Sequence, residues 1–179
     1  MGYVIAIKAS FFLFIAYPIL RYNSVIFIYY AGKPMHFRGA LFDLDGTLVN
    51  SLDFVEQSWA AWSHKKGLKV DEVRHYLHGK TAMNTLRHFL HAANEAELEA
   101  ECRLLEDYEA NNVAGITAVT GAVAFLQQLD DLRVPWGIVT SGSFKVASAR
   151  IREAGFPTPS VLVTSEDIQL GKPHPEPFL

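Results

Sequence analysis

The chain has 179 residues, of which 50% are hydrophobic and 20% are charged; it can bury a core, and this composition excludes an intrinsically disordered chain. The formal net charge of −3 excludes the basic surface that nucleic-acid binding requires. The single cysteine, Cys102, excludes an internal disulfide framework and is typical of a reducing compartment, so we expect a cytoplasmic protein. We interpret Cys102 as a half-buried helix residue rather than a reactive thiol.

Residues 1–34 differ in composition from the rest of the chain. They contain Lys8, Arg21 and Lys33, no acidic residue, and many aromatic and β-branched residues. A transmembrane helix, a secretory signal and an upstream extension outside the fold are the three interpretations. A membrane span needs about 20 apolar residues, whereas 12 residues separate Lys8 from Arg21 and 11 separate Arg21 from Lys33. We therefore favour an extension that takes no part in the fold, and we expect no membrane association.

From residue 35 the pattern predicts strands that alternate with helices. The segment "GALFD" is a short buried strand, and four helices follow it without a strand between them. We place these helices at residues 51–66, with Ser51 as the N-terminal cap and Gly67 as the stop, and at 71–78, 81–92 and 94–111. The last has capping-box spacing between Asn94 and Glu97 and an apolar stripe that ends at Tyr108.

The alternation resumes after this helical insert. We predict a helix in "TGAVAFLQQL", a strand in "PWGIVTS", a helix in "FKVASARIREAG" and a strand in "SVLVTS", followed by the loop "GKPHPEPFL". Strands that alternate with helices form right-handed βαβ units. The fold class is therefore α/β with a parallel sheet.

Polar side chains follow three of these predicted strands. In parallel α/β sheets, ligands bind beyond the carboxyl ends of the strands. The first strand leads to Asp43 and Asp45, which lie two residues apart and so project to the same side. The other groups are Thr140, Ser141 and Gly142 after the second strand and Lys172 after the third. These residues predict one site, although the aspartates alone could equally be solvated turn formers.

Three segments, "FDLDGTLVNS", "IVTSGS" and "GKPHP", together resemble the first three motifs of the haloacid dehalogenase (HAD) superfamily of aspartate-nucleophile phosphatases. Residues 35–179 are most similar to its sugar phosphatases with a helical cap, relatives of β-phosphoglucomutase. The resemblance implies a Rossmann-like core formed by residues 35–50 and 113–179. Residues 51–112 would be the inserted α-helical cap, and 1–34 lie outside the resemblance.

Carried onto this sequence, the family pattern implies a phosphoryl-transfer site. Asp43 would be the nucleophile that forms an aspartyl-phosphate, and Asp45 the general acid and base. Mg²⁺ would be bound by the Asp43 side chain and the Asp45 backbone carbonyl. Thr140 would bind the phosphate through its hydroxyl group, and Lys172 would neutralise charge on the phosphoryl oxygens.

The resemblance also implies residues that contact the substrate, a small sugar phosphate. Backbone amides near Ser141 and Gly142 would bind the phosphate group. By position, "LHGKTAMNTLRHF" resembles the cap loop that reaches into the pocket, so His78 and Lys80 are expected to contact the sugar phosphate. An exposed loop that only connects two helices is an equally good interpretation of this segment.

The family's fourth motif, an acidic pair after a further strand, is expected beyond residue 179. The resemblance therefore predicts a core that is incomplete at its C-terminus, an unpaired edge strand before Asp43, and weak or absent activity. Two other functions remain open. One is a phosphomutase that returns the phosphoryl group to sugar, and the other is a non-catalytic remnant of a phosphatase.

Overall fold

The structure is a computed structural model that describes the backbone of residues 3–7, 20–22, 25–30 and 33–179, and the side chains from Gly39 onward. The strands are β1 (Tyr3–Ile7), β2 (Leu20–Tyr22), β3 (Val25–Tyr30), β4 (Lys33–Phe42), β5 (Val49–Asn50), β6 (Thr117–Ala118), β7 (Trp136–Val139) and β8 (Val161–Val163). The helices are α1 (Leu52–Lys66), α2 (Val70–Leu77), α3 (Ala82–Phe89), α4 (Glu95–Asn111), α5 (Ala122–Asp131) and α6 (Phe144–Glu153). Short 3₁₀ helices cover Ser165–Asp167 and Glu176–Phe178.

The main sheet contains β4, β7 and β8 as parallel neighbours. Ala40 lies opposite Trp136, and Gly137 lies opposite Val161. The strands approach closely at Gly137, where an added Cβ would lie 2.8 Å from the Val161 carbonyl oxygen. This parallel sheet, with helices between its strands, confirms the predicted α/β class.

The N-terminal segment takes part in the sheet, contrary to our expectation that residues 1–34 lie outside the fold. β1 pairs in parallel with residues 37–42 of β4, and β3 pairs antiparallel with residues 33–37. The strand before Asp43 is therefore not the unpaired edge that we predicted. Aromatic and β-branched residues favour strands, and a neighbouring strand satisfies backbone groups that an edge would leave open.

Among the described residues, no helix is long and apolar enough to cross a membrane. Lys8 and much of the segment 9–31 lie outside the described residues.

Helices α1–α4 enclose a hydrophobic core of their own. It contains Trp59, Trp62, Val73, Leu77, Leu86, Leu98, Cys102 and Leu105. The two tryptophans are 5% exposed and pack edge to face, so they are core residues, as predicted. A second core, around Phe42, Leu126 and Trp136, fills the space between the sheet and its helices. The boundaries at residues 50 and 112 stay a prediction.

The ends of the cap helices agree with the sequence at two positions and differ at a third. Gly67 ends α1 in the left-handed conformation, and Asn94 and Glu97 form the predicted capping box at α4. Ser51 occupies the N-cap position of α1, but its side chain makes no capping hydrogen bond. Its hydroxyl group donates instead to Asp45 Oδ1 at 2.6 Å. A capping hydroxyl oxygen accepts from a backbone N–H, whereas here the side chain is turned so that its hydroxyl hydrogen reaches the Asp45 carboxylate in a charge-assisted bond.

Two short segments carry the chain between the core and the cap, and they pair with each other. Val49 lies opposite Ala118, and Asn50 opposite Thr117, in the small antiparallel sheet of β5 and β6. Gly46, with φ of +71°, makes the turn that leads from Asp45 into β5. This arrangement places the start of α1 directly beside the end of β4.

Candidate active site

A cavity of about 720 Å³ lies where the strand ends of the core face the helical cap. From the core it is lined by Asp43, Asp45, Ser141, Gly142 and Lys172. From the cap it is lined by residues of α1 and α4 and by the loop after α2, which includes His78 and Lys80. Seven of the eight sequence-predicted site residues therefore line one cavity, which the helical insert borders. The eighth, Thr140, does not line it, and its side chain is buried beside Asp45.

Asp43 and Lys172 form an ion pair inside this cavity. Lys172 Nζ donates to Asp43 Oδ1 at 2.7 Å and to the Val139 carbonyl oxygen, also at 2.7 Å. The Leu44 amide donates to the same Asp43 oxygen at 3.0 Å. Because the end of β7 anchors the lysine, its positive charge is fixed beside the aspartate. A positive charge fixed in this way can offset negative charge on a bound anion.

Asp45 is held by three side chains from different parts of the chain. Ser51 Oγ and Arg150 Nη1 each donate to Asp45 Oδ1 at 2.6 Å, and Thr140 Oγ1 lies 3.5 Å from Oδ2. The strong interactions all converge on one carboxylate oxygen. The other oxygen faces the end of β7.

The loop after β7 begins the helix α6 and lies under the cap loop. The Gly142 amide donates to Thr140 Oγ1 at 3.1 Å, and Ser143 is the N-cap residue of α6. Ser141 Oγ donates to the carbonyl oxygen of Gly79 at 3.0 Å. This last bond joins the core directly to the cap loop.

His78 and Lys80 both border the cavity, on either side of Gly79. His78 Nε2 lies 3.2 Å from Glu56 Oε1, and Arg74 Nε pairs with Glu56 Oε2 at 3.0 Å. Lys80 Nζ lies 5.4 Å from the ring centroid of Tyr76. The loop thus presents an imidazole ring and a lysine side chain to the cavity, next to a carboxylate on α1.

The sequence interpretation missed Arg150 and Glu109. Arg150 is 2% exposed and lies on the apolar face of α6 with Val146 and Ile151. Its Nη2 donates to Glu109 Oε2 on α4 at 2.6 Å. Burial raises the pKa of Glu109, and Asp45 raises it further, while the guanidinium group acts in the opposite direction. A charged residue on the buried face of each helix is the signal that could have revealed the pair.

The donor set at the strand end fits Mg²⁺. Mg²⁺ prefers oxygen ligands and is often held by one or two carboxylates together with substrate phosphate and water. Asp43 offers a carboxylate whose side chain is 19% exposed toward the cavity. Among the described residues, no cluster of three or more His, Cys, Asp and Glu side chains could hold a metal by itself. A metal here would therefore depend on Asp43, a backbone carbonyl group and the substrate.

A family model and curated relatives agree on the family of this chain. Residues 40–179 match the family described as haloacid dehalogenase-like hydrolase. The chain is 49% identical over 145 residues to Hexitol phosphatase A of Escherichia coli, covering 81% of this chain and 67% of the relative. It is 32% identical over 145 residues to validoxylamine A 7'-phosphate phosphatase of Streptomyces hygroscopicus, covering 79% and 68%.

The fold of this chain is similar to those of several solved structures. A hydrolase from Pseudomonas syringae is 26% identical, with a TM-score of 0.62, over 78% of this chain and 66% of that one. CbbY from Rhodobacter sphaeroides in complex with phosphate is 17% identical, with a TM-score of 0.63, over 79% and 69%, and this likeness concerns the fold alone. The chain spans about two thirds of the length of these relatives.

Proposed function

Since the chain belongs to the family of haloacid dehalogenase-like hydrolases, we propose that it hydrolyses phosphate monoesters of small sugars or sugar alcohols with Mg²⁺ as cofactor. One observation carries the proposal: the ion pair of Asp43 and Lys172 shares a cavity with Asp45. The similarity to a hexitol phosphatase at 49% identity supports a polyol or sugar ester as substrate.

In the first half of the reaction, an Asp43 oxygen attacks phosphorus and forms an aspartyl-phosphate. The bond between phosphorus and the sugar oxygen breaks, and that oxygen leaves with the proton of Asp45. A sugar alkoxide is a poor leaving group, so this protonation lowers the barrier. A dehalogenase expels halide and needs no such proton donor, and the acid two residues after Asp43 therefore favours a phosphatase.

In the second half, water attacks phosphorus while Asp45 accepts one of its protons. The bond to Asp43 breaks, and the free carboxylate and inorganic phosphate are released. Asp45 is protonated again and ready for the next ester. The same residue thus serves as acid and then as base.

Electrostatic repulsion is the main obstacle that the site must overcome. Each pair of like unit charges at about 4 Å costs roughly 4 kcal/mol at an effective dielectric constant of 20. Lys172 offsets part of this at Asp43, and Thr140 and the backbone amides near Ser141 and Gly142 bind phosphate oxygens. Mg²⁺, held by Asp43 and the Asp45 carbonyl group, would supply further positive charge.

The cap provides the surroundings of the sugar. His78 and Lys80 border the cavity and support binding of an anionic, hydroxyl-rich molecule. Glu56 lines the same cavity and offers a carboxylate acceptor for hydroxyl groups. We place the enzyme in the cytoplasm, where a lone cysteine stays reduced.

The test measures inorganic phosphate released by the full chain from hexitol and hexose phosphates, with Mg²⁺ and with a chelator. We expect Mg²⁺-dependent release at a low rate that Asp43→Asn abolishes. Asp53→Asn, an exposed aspartate in the first turn of α1, is the matched control and should keep the wild-type rate. Release that persists in the Asp43→Asn protein would contradict the proposal.

A second measurement does not depend on turnover. Beryllium fluoride with Mg²⁺ imitates an aspartyl-phosphate, so ¹⁹F NMR should show a bound species that Asp43→Asn removes. Incubation with glucose 1-phosphate separates a phosphatase from a phosphomutase. Free phosphate supports our proposal, and accumulation of glucose 6-phosphate would favour the mutase.

A further inference from the structure

Arg150 connects three elements that the sequence keeps far apart. It lies on α6 and its guanidinium group donates to Asp45 after β4 and to Glu109 on the cap helix α4, both at 2.6 Å. The side chain is 3% exposed, and that of Glu109 is 11% exposed. A buried guanidinium group is tolerated when charged partners surround it, and here one carboxylate lies at each terminal nitrogen.

The contact with Asp45 is selective for one oxygen. Arg150 and Ser51 both donate to Oδ1 at 2.6 Å, whereas Oδ2 has Thr140 at 3.5 Å. Two short charge-assisted or hydroxyl bonds fix the plane of the carboxyl group. Oδ2 is thereby turned toward the end of β7, and it is the oxygen that remains for proton transfer.

We propose that Arg150 is a positioning residue that holds Asp45 for proton transfer and links this position to the cap through Glu109. The proposal rests on the proposed function, because it assigns a partner to the acid and base of that reaction. α4 packs against α6, so a shift of the cap helix displaces Glu109 and with it the guanidinium group. Asp45 is therefore oriented most firmly when α4 lies against the core.

The kinetic test exploits leaving groups of different quality. The value of kcat/KM reports the steps up to formation of the aspartyl-phosphate, and protonation matters there for a sugar alcohol but little for p-nitrophenol. Arg150→Lys keeps the charge but cannot bridge two carboxylates as a planar fork. We expect it to lower kcat/KM for a hexitol phosphate by roughly 100-fold and for p-nitrophenyl phosphate by less than about 3-fold. Equal losses on both substrates would show a purely structural role and overturn the proposal.

Two further variants serve as a control and as a test of the contact with the cap. Arg152→Lys, exposed on the same helix, should leave both values unchanged. Glu109→Gln keeps the shape of the side chain and removes its charge, and it should reproduce the same substrate bias more weakly. If it lowers neither value, the link to the cap is refuted.

A measurement without turnover tests the bridge itself. The Nη protons of a guanidinium group held on both sides exchange slowly, and ¹⁵N NMR resolves them. We expect Asp45→Asn and Glu109→Gln each to shift the Arg150 signals, and unshifted signals would overturn the proposal. If the wild-type chain releases no phosphate, the proposed function is contradicted. The NMR experiment would still show whether Arg150 is bound to both Asp45 and Glu109.

Discussion

Replacing Gly46 by alanine should destabilise the protein through two separable effects. Gly46 has φ of +71°, a conformation that costs an alanine about 1–2 kcal/mol. An added Cβ would also lie 2.9 Å from Leu52 Cδ1, well inside ordinary contact distance. Leu52 is 43% exposed and can move outward, so we take the low end of overpacking costs, about 1 kcal/mol. Together, the two effects should lower the free energy of unfolding by about 2–3 kcal/mol.

Gly67 provides a matched control, because it has φ of +67° and nothing within 4 Å of an added Cβ. Urea unfolding should show that Gly67→Ala costs about 1–2 kcal/mol, and Gly46→Ala about 1 kcal/mol more. In a double-mutant cycle, Leu52→Ala should recover that difference. Equal losses at the two glycines, or no coupling between positions 46 and 52, would refute this account of the turn.

Two predictions concern titratable groups of α4 whose pKa is raised mainly by burial. Burial raises the pKa of the Cys102 thiol to about 12, so iodoacetamide at pH 8 should label it slowly in the folded chain and rapidly in urea; equal rates would contradict its burial. Partial burial also raises the pKa of Glu106, and Glu166 raises it further, so folding favours the protonated carboxyl group. The stability gained from this protonated form is fully present below the pKa of the unfolded chain and is lost as the pH rises through the pKa of the folded chain. Glu106→Gln should therefore raise the melting temperature at pH 7–8 and leave it unchanged near pH 4. Glu153→Gln, at an exposed position, should show no such pH dependence. An equal gain from Glu106→Gln at both pH values would contradict the raised pKa of Glu106.

Local signals predicted much of the fold because they depend on residues close in sequence. The Asn94–Glu97 capping box and the left-handed Gly67 both appear where the sequence indicates them. The predicted parallel sheet is also confirmed, since βαβ units leave few alternatives. β5 and β6, with two residues each, are too short to produce a recognisable pattern.

The pairing of the N-terminal strands could not be predicted in the same way. Whether β1 lies beside β4 depends on backbone groups of residues 3–7 and 37–42, which are far apart in the chain. The composition of residues 1–34 is compatible with strands, but composition alone does not choose a partner. We considered a membrane span, a signal and an extension for residues 1–34, but we did not consider strands that pair with β4.

Seven of the eight predicted site residues line one cavity, but the side chains that hold Asp45 from behind were missed. We expected the apolar stripe of α4 to end at Tyr108, which is 51% exposed, whereas the buried face continues from Leu105 to Glu109. Arg150 occupies the corresponding buried face of α6. Opposite charges on two buried faces indicate a pair, yet only the tertiary structure shows that Asp45 is the third member. Ser51 likewise fits a helix cap by sequence, and only the tertiary structure shows that its hydroxyl group is turned to donate to that carboxylate.

The hydrogen bond between Ser141 and Gly79 involves a main-chain carbonyl group on the cap side. Any amino acid that tolerates the local backbone can supply such an acceptor, and the neighbouring positions 78 and 80 have no part in it. The side chains at positions 78 and 80 can therefore change while the loop stays attached to the end of β7. Under the proposed function, such a scaffold would allow new substrate preferences to evolve without rebuilding the chemistry beneath them.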